Sequence, residues 1–157
     1  MVDTKDFSKE LTDLLNTFPA LENGQEIRFA ELGDKSGIAI YPSAAATVLS
    51  EKTDICGGVY QKCGYAFQVI FRAVLQSEDE RMHTKSWLDR LACWMGKQPI
   101  AVGGITQTLT DYPDIGPERK ITEFVQTTAA YLANRYNDGT EDWAVSLSMR
   151  YDNHFKR

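Results

Sequence analysis

Residues 65–96 read YAFQVIFRAVLQSEDERMHTKSWLDRLACWMG, and a change of period inside them decides the fold. Up to Leu75 the apolar residues alternate. Tyr65, Phe67, Val69, Phe71, Ala73 and Leu75 share one face, the mark of a strand. The other face, Ala66, Gln68, Ile70, Arg72 and Val74, is mixed, which suits a strand inside a sheet whose second face is partly wet. At Ser77 the rule changes. Ser77-x-x-Glu80 is a capping box, in which the serine oxygen accepts from the N–H of residue 80 and the glutamate reaches back. Glu78, Asp79 and Glu80 also complement the positive end of a helix dipole. Met82, Trp87, Leu88, Leu91, Cys93, Trp94 and Met95 then form a broad apolar stripe, and Gly96 stands at the C-cap. Such a block predicts a helix lying across its own sheet.

The flanking sequence extends the pattern. EDWAVSLSMRYD, 141–152, alternates cleanly, with Trp143, Val145, Leu147, Met149 and Tyr151 on one face. Its outer row, Ala144, Ser146, Ser148 and Arg150, is flat and weakly charged. A water-exposed edge strand is normally defended by Lys, Pro or bulges. The strand therefore pairs with another or is covered by another subunit, or it lies mid-sheet in its own chain. Phe7, Leu11, Leu14, Leu15 and Phe18 predict a first helix over 4–18, stopped by Pro19 and Asn23-Gly24. Short strands are predicted at 26–32 and 36–42, with GDKS between them as a hairpin signal, and another at 105–112. A long strand over roughly 121–133 changes phase midway, which predicts a bulge. Asp138-Gly139 turns the chain into the last strand. Residues 43–64, with small residues and Gly57-Gly58, read as a long loop or a loose hairpin, either a disordered segment or a projecting arm. Helix, strands, helix, strands is an α+β class: a mostly antiparallel sheet with an N-terminal and a central helix on one face. The whole chain, 1–157, reads as one domain.

Composition narrows the function. Apolar residues make up 43% and charged residues 25%, a globular balance, and no apolar run approaches the ~20 residues of a membrane helix. The charged start MVDTKDFSKEL has no apolar core of a signal peptide, so a cytosolic site of synthesis is expected. The net charge of −5 opposes tight binding to a nucleic-acid backbone, though not the passage of DNA nearby. Three cysteines, Cys56, Cys63 and Cys93, make no disulfide framework. Free thiols are expected, with a Cys56–Cys63 pair across a hairpin as the alternative. His83 and His154 have no Ser or Cys motif beside them and no second ligand at i+4, which reads as solvated or capping histidine. No phosphate-binding glycine motif is present. Asp111, Asp114 and Glu118, stiffened by Pro113 and Pro117, are the best candidates for a hard cation, and a solvated turn is the plainer reading. No catalytic residue, metal ligand or cofactor is assigned. The candidate oligomer or tube interface is Ala144, Ser146, Ser148 and Arg150.

The block 64–97, GYAFQVIFRAVLQSEDERMHTKSWLDRLACWMGK, resembles the central block of a family of tailed-bacteriophage minor capsid or minor tail proteins that are similar in role to tail terminators. EDWAVSLSMRYD resembles the same family's last strand, and FSKELTDLLNTFP its first helix. The resemblance implies a structural protein with no enzyme activity and no cofactor. Copies would form a six-fold ring on the last ring of the tail tube, stop its growth and offer a face to the head connector or neck protein. DNA would cross the channel without specific binding. The expected place is the tail or neck of the virion, after assembly in the bacterial cytoplasm and without a membrane. A head-completion or neck protein of the same particle is the near alternative. From another class, a small α+β ligand-binding protein or enzyme would hold its ligand between the 78–96 helix and the sheet.

Overall fold

The computed structural model describes residues 6–157 and the backbone of Val2–Asp3. In chain order the elements are β1 (Val2–Asp3), α1 (Ser8–Leu15), β2 (Ile27–Phe29), β3 (Gly37–Pro42), β4 (Ala46–Thr53), β5 (Gly58–Val74), α2 (Glu78–Met95), β6 (Ile100–Val102), β7 (Ile105–Gln107), β8 (Arg119–Arg135) and β9 (Thr140–Lys156). Seven strands form one sheet, and β6 and β7 form a separate hairpin. The predicted α+β class, mostly antiparallel with both helices on one face, is the observed architecture.

Two seventeen-residue strands make the spine. β5 and β9 pair antiparallel without a break from Gly58↔Lys156 to Val74↔Thr140, roughly 50 Å of ladder. β8 lies along the other side of β9. The free side of β5 is divided: β4 takes Val59–Gly64 and β3 takes Phe67–Arg72. β1 continues outward from β4, and β2 from β3.

The period-2 pattern sends Tyr65, Phe67 and Val69 of β5 and Val145, Leu147, Met149 and Tyr151 of β9 to the core face. α2 sets Trp87, Leu88, Leu91 and Met95 on them, and α1 with its N-cap residue adds Phe7, Leu11 and Leu15. Each such fully buried side chain contributes about 1.5–3 kcal/mol relative to exposure. Aromatic edges tie the layers together. Phe7 meets Tyr151 at 4.8 Å, and Trp87 meets Phe18 and Phe71 at 5.3 Å each.

The capping box forms with one change of partner. Ser77 Oγ accepts from the Glu80 N–H at 3.2 Å, while Glu80 accepts from the N–H of Gln76, one residue before the cap. Ser77→Ala should cost about 1 kcal/mol, read as a lower urea midpoint with an unchanged slope. At the other end, Gly96 keeps φ −81° and the left-handed residue is Lys97 at φ +61°. Gly96 is thus the C-cap, as expected, and the left-handed residue follows it.

Several expected elements differ. β2 and β3 pair parallel, Ile27↔Ile38, so GDKS is no hairpin turn. β2 has three residues, a rise of about 10 Å, short enough for the 30–36 loop to carry the chain back along it. Ala30, at φ +53°, begins that return. The outer edge of β2 is closed by Asn16, whose amide donates to the Ile27 carbonyl and accepts from the Ile27 N–H, both at 2.8 Å. The expected strand at 105–112 shrinks to β7, because Gly103 and Gly104, at φ +58° and +80°, turn it back on β6 as a two-residue hairpin. The first helix is observed over Ser8–Leu15; residues 4 and 5 of its expected span lie outside the described ones. The 43–64 segment is a hairpin, β4–β5. Its tip is held by Asp54 Oδ1, which accepts from the N–H groups of Cys56 and Gly58. Cys56 is exposed at that tip and Cys63 is buried in the core, so the two do not meet. Four register shifts along β8 meet the expected bulge. No helix among the described residues is long and apolar enough to cross a membrane.

Candidate interaction surface

With both helices on one side, the other face of the sheet carries no helical layer among the described residues. The register reads it off. Along β5 and β9, the facing pairs are Tyr60–His154, Lys62–Asp152, Gly64–Arg150, Ala66–Ser148, Gln68–Ser146, Ile70–Ala144 and Arg72–Asp142. The sequence-predicted row Ala144, Ser146, Ser148 and Arg150 therefore lies on this open face. Ala144 is fully buried, Ser146 and Ser148 are half-buried and Arg150 is exposed, so the accessible part of the row is the last three. The edge reading of this strand does not hold. β9 has β5 on one side and β8 on the other, which is why its middle needs no Lys, Pro or bulge of its own.

The middle of the open face is flat because its side chains are small: Gly64, Ala66, Ser146 and Ser148. A Cβ on Gly64 would come within 3.4 Å of Leu49 Cδ1 and 3.5 Å of Ser148 Oγ. Leu49, at the register shift in β4, stands 58% exposed over this floor. Tyr131 of β8 is 40% exposed, and its hydroxyl accepts from Gln68 Nε2 at 3.1 Å. Sequence reasoning missed Leu49 because its segment read as a loop. The alternation Val48, Leu49, Ser50 is itself broken by the bulge.

At the start of β5 the face turns polar. Tyr60 and His154 stack at 4.2 Å and 8°, and Tyr60 donates to Asp54 Oδ2 at 3.4 Å. A groove of about 420 Å³ runs between Leu49, Lys62, Glu123, Arg150 and Asp152.

At the far end two buried carboxylates clamp the sheet from opposite sides. On the open face Asp142, 4% exposed, takes Arg72 in a two-pronged pair at 2.7 and 2.8 Å and a hydroxyl from Tyr136 at 2.8 Å. On the helical face Glu141, 2% exposed, takes Arg81 at 2.9 Å and the Trp143 indole N–H at 3.1 Å. Burial alone would raise both carboxyls. The hydrogen bonds and charges of Arg72 and Tyr136, and of Arg81, Trp143 and Arg135, outweigh it and hold both below the ordinary carboxylate range. A carboxyl lowered on folding stabilises above its unfolded pKa of about 4 and loses that stabilisation as pH falls through the folded value. Urea midpoints should therefore be flat from pH 7 to about 5 and fall below about 4. Asp142→Asn should flatten part of that acid limb.

The outer edge of β8 is interrupted around residues 126–131. Asp89, reaching from α2, accepts from the Ala130 N–H at 2.8 Å and from Gln126 Nε2 at 2.9 Å. The register shifts between Gln126 and Tyr131 break the ladder there as well.

The other candidates do not gather. Asp114 accepts from the N–H of Gly116, Glu118 lies 3.9 Å from Arg119, and among the described residues no three ligating side chains come together. His83 is exposed, 3.6 Å from Glu22. The space between α2 and the sheet, where a ligand would sit under the alternative reading, is filled by Trp87, Leu88, Leu91 and Met95 against Phe67, Val69 and Leu147. A concavity of about 460 Å³ lies beside the 24–37 loop, but its Arg72 is committed to Asp142 and its Arg28 to Glu31 at 3.3 Å. A scan against protein-family models finds no match, and a search of curated proteins finds none either.

Proposed function

We propose that this chain is a structural virion protein of a tailed bacteriophage, a tail terminator. Its copies close into a six-fold ring on the end of the tail tube and join the tube to the head connector, and DNA passes through the channel without specific binding. The observation that carries the reading is the two-sided sheet. One face is packed under helices, and the other is left flat, floored by glycine, alanine and serine, with Leu49 and Tyr131 standing from it. Exposed apolar and aromatic anchors on a flat patch with a polar border are the composition of a protein–protein interface. The resemblance of 64–97 and 141–152 to the terminator-like family supplies the kind of partner.

The interrupted edge of β8 bears on how subunits would meet. With Asp89 on the Ala130 N–H, a neighbour cannot extend the sheet there. Contacts between faces that are heterologous and close on a rotation axis make a ring. Electron microscopy of the purified protein mixed with purified tail tubes tests the reading. Rings seated at one end of each tube are expected. Bare tube ends beside a monomeric protein would overturn it.

A further inference from the structure

The cations of the open face are unevenly placed. Around the start of β5 the register brings Lys52, Lys62, Lys120, Arg150 and Lys156 to one face, against the carboxylates of Asp54, Glu123 and Asp152. That is five cations to three carboxylates in a chain of net charge −5. Among the described residues Arg150 pairs with Glu123 at 3.5 Å, while the four lysines make no ion pair. At their centre stand Leu49 and Tyr60, 58% and 48% exposed.

The start of α2 has the opposite composition. Glu78, Asp79 and Glu80 are exposed there and make no ion pair among the described residues. Met82, on the same helix face as Glu78 and Asp79, is 63% exposed. Each patch thus has an apolar centre with one charge in excess around it, and the two excesses are of opposite sign. They cannot meet within one chain. Lys62 lies near one end of β5 and α2 begins beyond the other, roughly 40 Å along the strand.

We infer that the lysine-bordered part of the open face, around Leu49 and Tyr60, receives the acidic start of α2 from a second copy of this chain. The contact is head-to-tail, so it propagates from subunit to subunit and closes as a ring or runs on as a filament. A nucleic-acid occupant fits less well. Phosphate binding needs clustered Lys and Arg, and here carboxylates are interspersed with them. The inference rests on the ring reading and specifies its contact.

Two charge-reversed proteins test it: Lys62→Glu with Lys120→Glu, and Glu78→Lys with Asp79→Lys. All four sites are exposed; circular dichroism melts should match the parent for Lys62→Glu with Lys120→Glu, and fall slightly but stay cooperative for Glu78→Lys with Asp79→Lys, whose carboxylates complement the α2 dipole. Sedimentation velocity, alone and with tail tubes, should show each variant associating at least tenfold more weakly than the parent. An equimolar mixture should recover assembly, since every contact in an alternating ring then pairs opposite charges. Raising salt should weaken the parent. Variants that assemble at the parent's concentration would overturn this contact and leave the ring reading standing. A parent that stays monomeric even with tubes would overturn both. Loss of oligonucleotide retention by Lys62→Glu with Lys120→Glu, with assembly unchanged, would make the face a polyanion site and overturn the inference.

Discussion

Trp87→Ala should lower the unfolding free energy by about 3–5 kcal/mol, more than any surface change in this chain. The indole is 3% exposed and joins α2 to both β5 and the segment after α1. Its ring meets Phe71 of β5 and Phe18 beyond α1, and its N–H donates to the Ala20 carbonyl at 3.1 Å. Alanine would empty that junction and leave the Ala20 oxygen without its donor, a further cost of about 1 kcal/mol. Trp87→Phe separates the two effects. It keeps most of the ring contact and loses the hydrogen bond, so a loss of about 1–2 kcal/mol is expected. Urea unfolding followed by circular dichroism reads both. If alanine cost under 1 kcal/mol, the helical layer would not be anchored where the structure places it.

Arg72→Met should be the second largest effect, about 3 kcal/mol, because it strands the Asp142 carboxylate at 4% exposure. Tyr136 still donates to that carboxylate at 2.8 Å, which keeps the loss at the lower end of the range. The deficit should narrow as pH is lowered. Without the guanidinium, burial dominates, the Asp142 carboxyl rises, and a proton removes the stranded charge. Arg72→Met with Asp142→Leu should return to within about 1–2 kcal/mol of the parent, since an apolar pair can replace a buried ion pair at little cost. A double variant as unstable as the single one would mean that the pair also holds the 33–37 loop, through the Arg72 bond to the Gly33 carbonyl at 3.1 Å.

The long elements were legible because two levels of signal agree in them. In 65–96 the period changes from 2 to 3.6 at the residue that caps the helix, so pattern and capping chemistry give one boundary. The first seven residues of β5, GVYQKCG, were hidden because Lys62 and Gln61 blur the alternation at its polar end. The lysine belongs to the open face, and Gln61 is buried beside Asn153, with a 3.0 Å hydrogen bond between their amides. The parallel pairing of β2 with β3 left no trace in composition. GDKS has the residues of a hairpin turn, and only the reversal at Ala30 tells the two apart. The sequence reads the candidate row as one face of β9 and leaves its neighbours open, and the mid-sheet alternative is the one observed. Alternation specifies which residues share a face, while the strands alongside are set by long-range pairing.

Hydroxyl-radical footprinting of the protein, dilute and then assembled on tail tubes, tests the central claim most directly. That claim is that the chain works by setting its open sheet face against its neighbours. Leu49, Tyr60 and Met82 should lose labelling on assembly. Ile105, 63% exposed on the separate β6–β7 hairpin, should keep its labelling and serves as the internal reference. Unchanged labelling of Leu49 and Tyr60 in particles that demonstrably contain the protein would contradict the account.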